Sequence, residues 1–108
     1  MNNELMENAR SRAKQVIKRD GKVVSYELSR IRSAIHKAFQ EVYKGEEIFN
    51  EEIGNIINGV NGRILKKEED RIDIEEIQDI VVEEIQKRDK KVAKAFSDYR
   101  EERTRIRE

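Results

Sequence analysis

The amino-acid sequence predicts a mainly helical α+β domain, a four-helix bundle capped by a small three-stranded β-sheet. Two observations support this fold class. Apolar residues recur at the spacing of an amphipathic helix in four successive segments, and β-branched runs flank Asp20-Gly21, a signal for a tight hairpin. The chain has 108 residues, which suits one domain around a single core.

Balanced charge and the absence of cysteine exclude several classes of function. The 23 basic and 23 acidic residues cancel, so there is no general attraction to nucleic acid or to a lipid surface. Without cysteine there are no disulfides, thiolate nucleophiles or zinc ribbons. No apolar run approaches the roughly 20 residues of a membrane span, and the N-terminus lacks a signal-peptide core. We therefore expect a cytoplasmic protein.

The first 14 residues differ from the rest of the chain. Residues 1–14 contain few side chains that could be buried, and we expect them to be an N-terminal extension, helical or frayed. The apolar periodicity begins after them. The folded domain is therefore expected to cover residues 15–108.

A β-hairpin is expected over residues 15–27, with its turn at the Asp-Gly pair. A two-residue turn at this point would pair Ile17 with Val24. Because cross-strand partners share a face, these two side chains would face the core, whereas Val16 and Lys18 would face away.

Four amphipathic helices are expected to follow the hairpin. Their apolar stripes run from Ile31 to Val42, Ile53 to Leu65, Ile77 to Ile85 and Val92 to Ile106. Asn50 is a suitable N-cap for the second helix, and residues 73–76 (DIEE) have the form of a capping box that opens the third. The segment just before that box, residues 71–74, can add a short strand to the hairpin.

The second helix contains three glycines, Gly54, Gly59 and Gly62. Each costs about 1 kcal/mol relative to Ala in a helix interior. This helix is therefore expected to be the weakest of the four, or to pack unusually close to a neighbour.

The sequence offers no catalytic or metal-binding constellation. His36 is the one histidine, and there is no partner from which to build a metal site or a nucleophile-base pair. Paired carboxylates are abundant, for example at 46–47, 51–52, 75–76 and 83–84. Such pairs are typical of helix starts and exposed helix faces, so we interpret them as caps and solubilising charge.

Lys18, Arg19 and Arg30 are a candidate anion site. They lie at the tip of the hairpin and in the first turn of the following helix, where backbone N–H groups are also available. That arrangement suits a phosphate group. An equally good interpretation is that Lys18 and Arg19 keep an edge strand soluble.

Three segments resemble the ATP-cone family in the correct order. VIKRDGKVVSYELSRIRSAIHKAF resembles its opening, a V-x-K-R-[DN]-G hairpin followed by a K-I-x-x-A-I helix. IEEIQDIVVEEI and VAKAFSDYREERTRIRE resemble its third and fourth helices, including the Tyr-Arg-x-x-Arg close. The resemblance spans about residues 15–107 and is nearest to the cones that precede anaerobic ribonucleoside-triphosphate reductases.

The resemblance implies a site for ATP or dATP, with or without Mg²⁺ and with no metal site of its own. The positions that match the family's nucleotide contacts are Val16, Lys18, Arg19, Glu27, Arg30, Ile31, Ile35, Ile74 and Gln78. In the family, the basic hairpin side chains bind phosphates, the start of the first helix recognises base and phosphate, and the third helix closes the adenine pocket. Two positions depart from the pattern, because Arg30 replaces a Lys and Glu27 replaces an Asp or Asn.

The function implied by the resemblance is allosteric regulation, not catalysis. Such a cone controls ribonucleotide reductase, with ATP permitting activity and dATP suppressing it, commonly through a change in oligomeric assembly. The implied partners are a reductase catalytic domain or subunit and further copies of the cone. The alternative is a stand-alone nucleotide-responsive transcriptional regulator, or a helical interaction protein without a ligand. The arginines at 100, 103, 105 and 107 favour that alternative, whereas the balanced charge makes nucleic-acid binding unexpected.

Overall fold

The computed structural model describes residues 14–44 and 50–107, with side chains as far as Glu101. The elements in chain order are β1 (Gln15–Ile17), β2 (Val23–Ser25), α1 (Leu28–Tyr43), α2 (Asn50–Leu65), β3 (Arg71–Asp73), α3 (Ile74–Gln86) and α4 (Lys90–Arg107). The predicted fold class, mainly helical α+β, is confirmed. No helix in the described ranges is both long and apolar enough to cross a membrane.

The apolar stripes of the helices meet in one core. α4 packs against α1 and α3, and α2 packs against the same two helices, so the four form a closed ring. Side chains from every helix are fully buried at its centre, and they include Ile35, Val60, Ile64, Ile85 and Val92. Each such side chain stabilises the fold by about 1.5–3 kcal/mol. Leu65 and Tyr99, expected in the stripes, are instead 49% and 50% exposed.

The sheet closes one end of the bundle. Its strand order is β2-β1-β3, with β1 antiparallel to β2 and parallel to β3. Val16 of β1 lies beside Ile72 of β3, and both side chains are buried. α1 and α2 form the crossover between these parallel strands. The strand predicted before the third helix is therefore confirmed.

The hairpin loop has three residues, not the two that we expected. The Gly21 N–H donates to the Lys18 carbonyl at 2.9 Å, and the Lys18 N–H donates to the Lys22 carbonyl at 2.8 Å. Gly21 has a φ of +90°, a conformation that glycine adopts without steric cost. A turn followed by a residue with positive φ is the usual three-residue hairpin loop. Asp20 Oδ1 accepts from the Lys22 N–H at 3.0 Å and completes the turn.

The extra loop residue shifts the strand register by one, and the predicted register was wrong. Ile17 pairs with Val23, and Val16 pairs with Val24. A shift of one residue moves side chains to the opposite face of a strand. Val16 therefore faces the core and is 7% exposed, contrary to our expectation. Val24 belongs to the edge strand and is 42% exposed.

The start of α3 has half of the predicted capping box. Asp73 Oδ1 accepts from the Glu75 N–H at 2.8 Å and caps the helix. In the second bond of a capping box, the Glu76 side chain would accept from the Asp73 N–H. This bond is replaced, because the Glu76 carboxylate forms an ion pair with Lys67 in the loop before β3. α2 begins at Asn50, and its capping stays a prediction because residues 45–49 lie outside the described ranges.

Gly59 is the glycine that permits close packing of α2. A Cβ at this position would lie only 3.0 Å from Glu84 Cδ on α3, whereas a Cβ at Gly54 or Gly62 would meet nothing within 4 Å. Glu84 is buried and accepts from Arg63 Nη1 at 3.1 Å and from Lys87 Nζ at 3.0 Å. The absence of a side chain at Gly59 therefore leaves room for a buried, ion-paired carboxylate between the two helices.

Lys14, the last residue of the expected N-terminal extension, contacts the fold. Its side chain is buried, and Nζ donates to the carbonyls of Lys67 at 2.6 Å and Glu69 at 2.7 Å. These bonds attach the start of β1 to the loop that precedes β3. The rest of the expected extension, residues 1–13, lies outside the described ranges.

Candidate functional site

Arg19 connects the tip of the hairpin to the start of α3. Its Nε lies 2.8 Å from Glu75 Oε2, and its Nη2 donates to Gln78 Oε1 at 3.3 Å. The Arg19 side chain is 24% exposed, which is low for a residue at a loop tip. Two predicted site residues that are 59 positions apart in the chain are therefore in direct contact.

Arg100 of α4 approaches the same carboxylate from another direction. Its Nη2 lies 2.5 Å from Glu75 Oε1 and 3.3 Å from the Glu75 carbonyl, and its Nη1 donates to Asp79 Oδ1 at 3.0 Å. Burial alone lowers the pKa of Arg100, but the hydrogen bonds to Glu75 and Asp79 outweigh burial and raise it. Arg100 is therefore a permanent cation at this position.

These side chains form what we call the Glu75 cluster: Arg19, Glu75, Gln78, Asp79 and Arg100. Sequence reasoning missed three of its members, Glu75, Asp79 and Arg100. Glu75 was interpreted as helix-start charge, and Arg100 was considered as one of the arginines that favour the alternative function. The sequence contains a signal for neither contact, because both depend on how α3 and α4 pack.

The predicted residues at the start of α1 bind each other. Glu27 occupies the N-cap position, and its side chain makes no capping bond. Instead, Glu27 Oε1 lies 2.8 Å from Arg30 Nε, and the Arg30 side chain is 82% exposed. Exposed pairs of this kind contribute about 0–1 kcal/mol, so Arg30 can exchange partners at little cost.

The remaining predicted residues fall into two groups by burial. Val16 is almost fully buried and Ile35 has 0% exposure, so a ligand could contact Ile35 only if neighbouring side chains moved. Ile31 and Ile74 pack against the core but keep exposed surface. Lys18 is exposed. The structure therefore leaves Lys18, Ile31 and Ile74 accessible from solvent.

A surface cavity of 570 Å³ lies elsewhere, between α1 and α4. It is lined by Ala34, Lys37, Ala38, Gln40, Glu41, Ala95, Phe96, Asp98 and Tyr99. This lining contains two carboxylates and one ammonium group, and it includes none of the predicted site residues. A triphosphate needs an excess of positive charge, so this cavity is a poor phosphate site.

The described residues were also considered as metal ligands. Across residues 14–44 and 50–107, no group of three or more His, Asp or Glu side chains is arranged to hold a metal ion. His36 is exposed on α1.

The fold is a small α+β domain, a four-helix bundle with a three-stranded cap. At the capped end, arginines from the hairpin and from the last helix meet at Glu75 of α3. Residues 14–105 match the sequence model of the ATP cone domain, so the chain belongs to the ATP-cone family. ATP-cone domains are in general allosteric, nucleotide-binding regulatory domains. The predicted family membership is confirmed.

Three relatives are ribonucleotide reductases from different organisms. The chain is 37% identical over 94 residues to an anaerobic ribonucleoside-triphosphate reductase of Haemophilus influenzae, a match that covers 86% of this chain and 13% of that protein. It is 39% identical over 102 residues to a vitamin B12-dependent ribonucleoside-diphosphate reductase of Thermoplasma acidophilum, covering 88% and 12%. Identity to a ribonucleoside-diphosphate reductase subunit alpha of Chlamydia trachomatis is 35% over 101 residues, covering 86% and 10%. The chain thus spans a small part of each relative.

Proposed function

We propose that this domain binds ATP or dATP at the hairpin end of the bundle and that the bound nucleotide regulates a ribonucleotide reductase. The observation that carries the proposal is the contact between Arg19 and Gln78. Both residues were assigned to the nucleotide site from separate motifs, and they meet at one end of the fold. The known relatives support the choice of reductase as the regulated enzyme.

Lys18, Arg19 and Arg30 would bind the phosphates. Lys18 is exposed, and Arg30 forms an exposed ion pair with Glu27. Charge-assisted hydrogen bonds from such cations to a phosphate contribute about 1.5–3 kcal/mol each. The exposed parts of Ile31 and Ile74 offer apolar surface for the base.

The connectivity of the fold offers a route from the ligand to the last helix. The hairpin contacts α3 through Arg19, and α3 contacts α4 through Arg100. A nucleotide that changes the contact of Arg19 with α3 would also change the contact of Arg100 with α3. The two contacts would in this way couple the nucleotide site to α4, as allosteric regulation requires. The proposed output is a change in assembly with the reductase or with further copies of the domain.

The transcriptional-regulator alternative depends on the arginines at 100, 103, 105 and 107. Arg100 forms ion pairs with Glu75 and Asp79, and the side chains of the other three lie outside the described part of the chain. A gel-shift assay with duplex DNA separates this alternative from the reductase proposal. A specific shifted band would favour the alternative, whereas nucleotide binding without a shifted band would favour the reductase proposal.

Calorimetric titration of Lys18→Ala with ATP and dATP tests the nucleotide proposal. Loss of one phosphate contact should weaken binding about ten- to a hundredfold, since about 1.4 kcal/mol corresponds to tenfold. Lys22→Ala is the matched control, because Lys22 is also exposed in the hairpin but was not assigned to the site. Its affinity should stay within about twofold of wild type. Equal binding by Lys18→Ala and wild type, or no binding by wild type, would contradict the proposal.

A further inference from the structure

The Glu75 carboxylate lies between two arginines that belong to different elements. Oε2 faces Arg19 Nε at 2.8 Å, and Oε1 faces Arg100 Nη2 at 2.5 Å. The Arg19 and Arg100 side chains are only 24% and 20% exposed, whereas Glu75 is 47% exposed. The anion is therefore the most accessible member of the triad.

One anion held by two guanidinium groups is also the arrangement in which a phosphate is bound. Guanidinium presents planar N–H donors that fit the oxygens of carboxylate and phosphate equally well. Two further acceptors hold Arg100 in place: Asp79 Oδ1 accepts from Nη1, and the Glu75 carbonyl accepts from Nη2. The guanidinium of Arg100 would therefore keep its position if the Glu75 carboxylate left.

We propose that Glu75 is an internal competitor, which occupies the phosphate position of Arg19 and Arg100 until a nucleotide phosphate displaces it. The inference rests on the proposed function for the identity of the ligand. It adds Arg100 to the phosphate contacts and gives Glu75 a regulatory role. Displacement would leave Gln78 as the α3 side chain that Arg19 contacts, and would remove one of the bonds that attach Arg100 of α4 to α3.

The structure shows that Glu75 can leave without unfolding α3. The helix start is held by Asp73, whose carboxylate accepts from the Glu75 backbone N–H, and this bond does not involve the Glu75 side chain. With half of its surface in solvent, the carboxylate can rotate into water. Rotation restores its hydration and removes a negative charge from the incoming phosphate.

Glu75→Gln separates competition from a purely structural role. Gln is isosteric and neutral, so its side chain binds Arg19 and Arg100 more weakly than the Glu75 carboxylate does. It also carries no negative charge that would repel the incoming phosphate. Binding of MgATP and of inorganic tripolyphosphate should become about three- to tenfold tighter, within the range of one or two exposed ion pairs. A structural ion pair would instead lower stability without a gain in affinity.

Glu76→Gln is the matched control. Glu76 is adjacent in the same helical turn and 48% exposed, but it pairs with Lys67 away from the arginines. Its affinity for both probes should stay within about twofold of wild type. The double variant Glu75→Gln/Arg100→Gln should lose the gain, because Arg100 is one of the two cations that the substitution releases.

Calorimetry at fixed ionic strength measures the affinity of each variant for the two probes, and thermal melting checks that each variant is folded. The possible results separate the competition by Glu75 from the proposed function. Unchanged or weaker binding by Glu75→Gln overturns the inference, as does a gain that survives Arg100→Gln. If ATP binds no variant while tripolyphosphate binds Glu75→Gln more tightly than wild type, the proposed function fails and the competition stands. If neither probe binds any variant, both fail.

Discussion

Replacing Gly59 with Ala should destabilise the domain, although Ala is the better helix former. Gly59 lies inside α2, where Ala would ordinarily stabilise by about 1 kcal/mol. The new Cβ would press on the carboxyl group of Glu84 and force it from its place between Arg63 and Lys87. The sign of the effect depends on which of these two terms is larger.

The ion-pair term should be the larger one. Removing a partner from a fully buried pair costs about 3–5 kcal/mol. Glu84 is buried, but the side chains of Arg63 and Lys87 are 40% and 67% exposed, so we discount this to about 1–3 kcal/mol. After subtraction of the helix term, Gly59→Ala should destabilise by up to about 2 kcal/mol.

Gly54→Ala and Gly62→Ala are the matched controls, because a Cβ at either position meets nothing within 4 Å. Each should stabilise by up to about 1 kcal/mol, or roughly 4–8 °C in a thermal melt. In a Glu84→Ala background, Gly59→Ala should also become stabilising. The reasoning is refuted if Gly59→Ala raises the melting temperature of the wild type as much as the two controls do.

Burial raises the pKa of Glu84, but hydrogen bonds from Lys87 and Arg63 outweigh burial and lower it. The stability that Glu84 contributes at neutral pH should therefore be lost as the pH falls from 4.5 through the lowered pKa, and urea unfolding of Glu84→Gln should lack this acid dependence. Burial raises the pKa of Tyr26 to about 12, so the stability that Tyr26 contributes should be lost as the pH rises from 10.0 to about 12, and Tyr26→Phe should reduce the alkaline loss by that contribution. Ile35→Ala should lower the free energy of unfolding in urea by about 2–5 kcal/mol. A smaller decrease would show that neighbouring core side chains move to fill the space left by Ile35. Finally, dATP should change the sedimentation coefficient, whereas an unchanged monomer with and without dATP would contradict the proposed assembly switch.

The helices could be predicted from sequence because their apolar stripes are local and continuous. Ile31 to Val42 and Ile77 to Ile85 each place one face in the core, as their spacing requires. The register of the hairpin could not be predicted in the same way. Asp20-Gly21 fits the centre of a two-residue turn, but it also fits a three-residue loop in which glycine takes the final, positive-φ position.

The candidate site could be predicted only in part, for a related reason. Arg19 and Gln78 were found through two family motifs, each of which is local in sequence. The bonds of Glu75 to Arg19 and Arg100 depend on the packing of three elements, and a glutamate in the first turn of a helix is equally well explained by the helix dipole. Likewise, three similar glycines in α2 gave no sign that Gly59 alone among them faces a buried carboxylate.

The most direct test of the central claim is a two-dimensional ¹H–¹⁵N NMR titration of the domain with ATP. The claim that the nucleotide binds at the hairpin end predicts the largest shift changes at Lys18, Arg19 and Gln78, which lie on the hairpin and α3. Lys37 and Phe96, in the cavity between α1 and α4, should change little. Shift changes concentrated at Lys37 and Phe96, or a spectrum unaltered by ATP, would contradict the account.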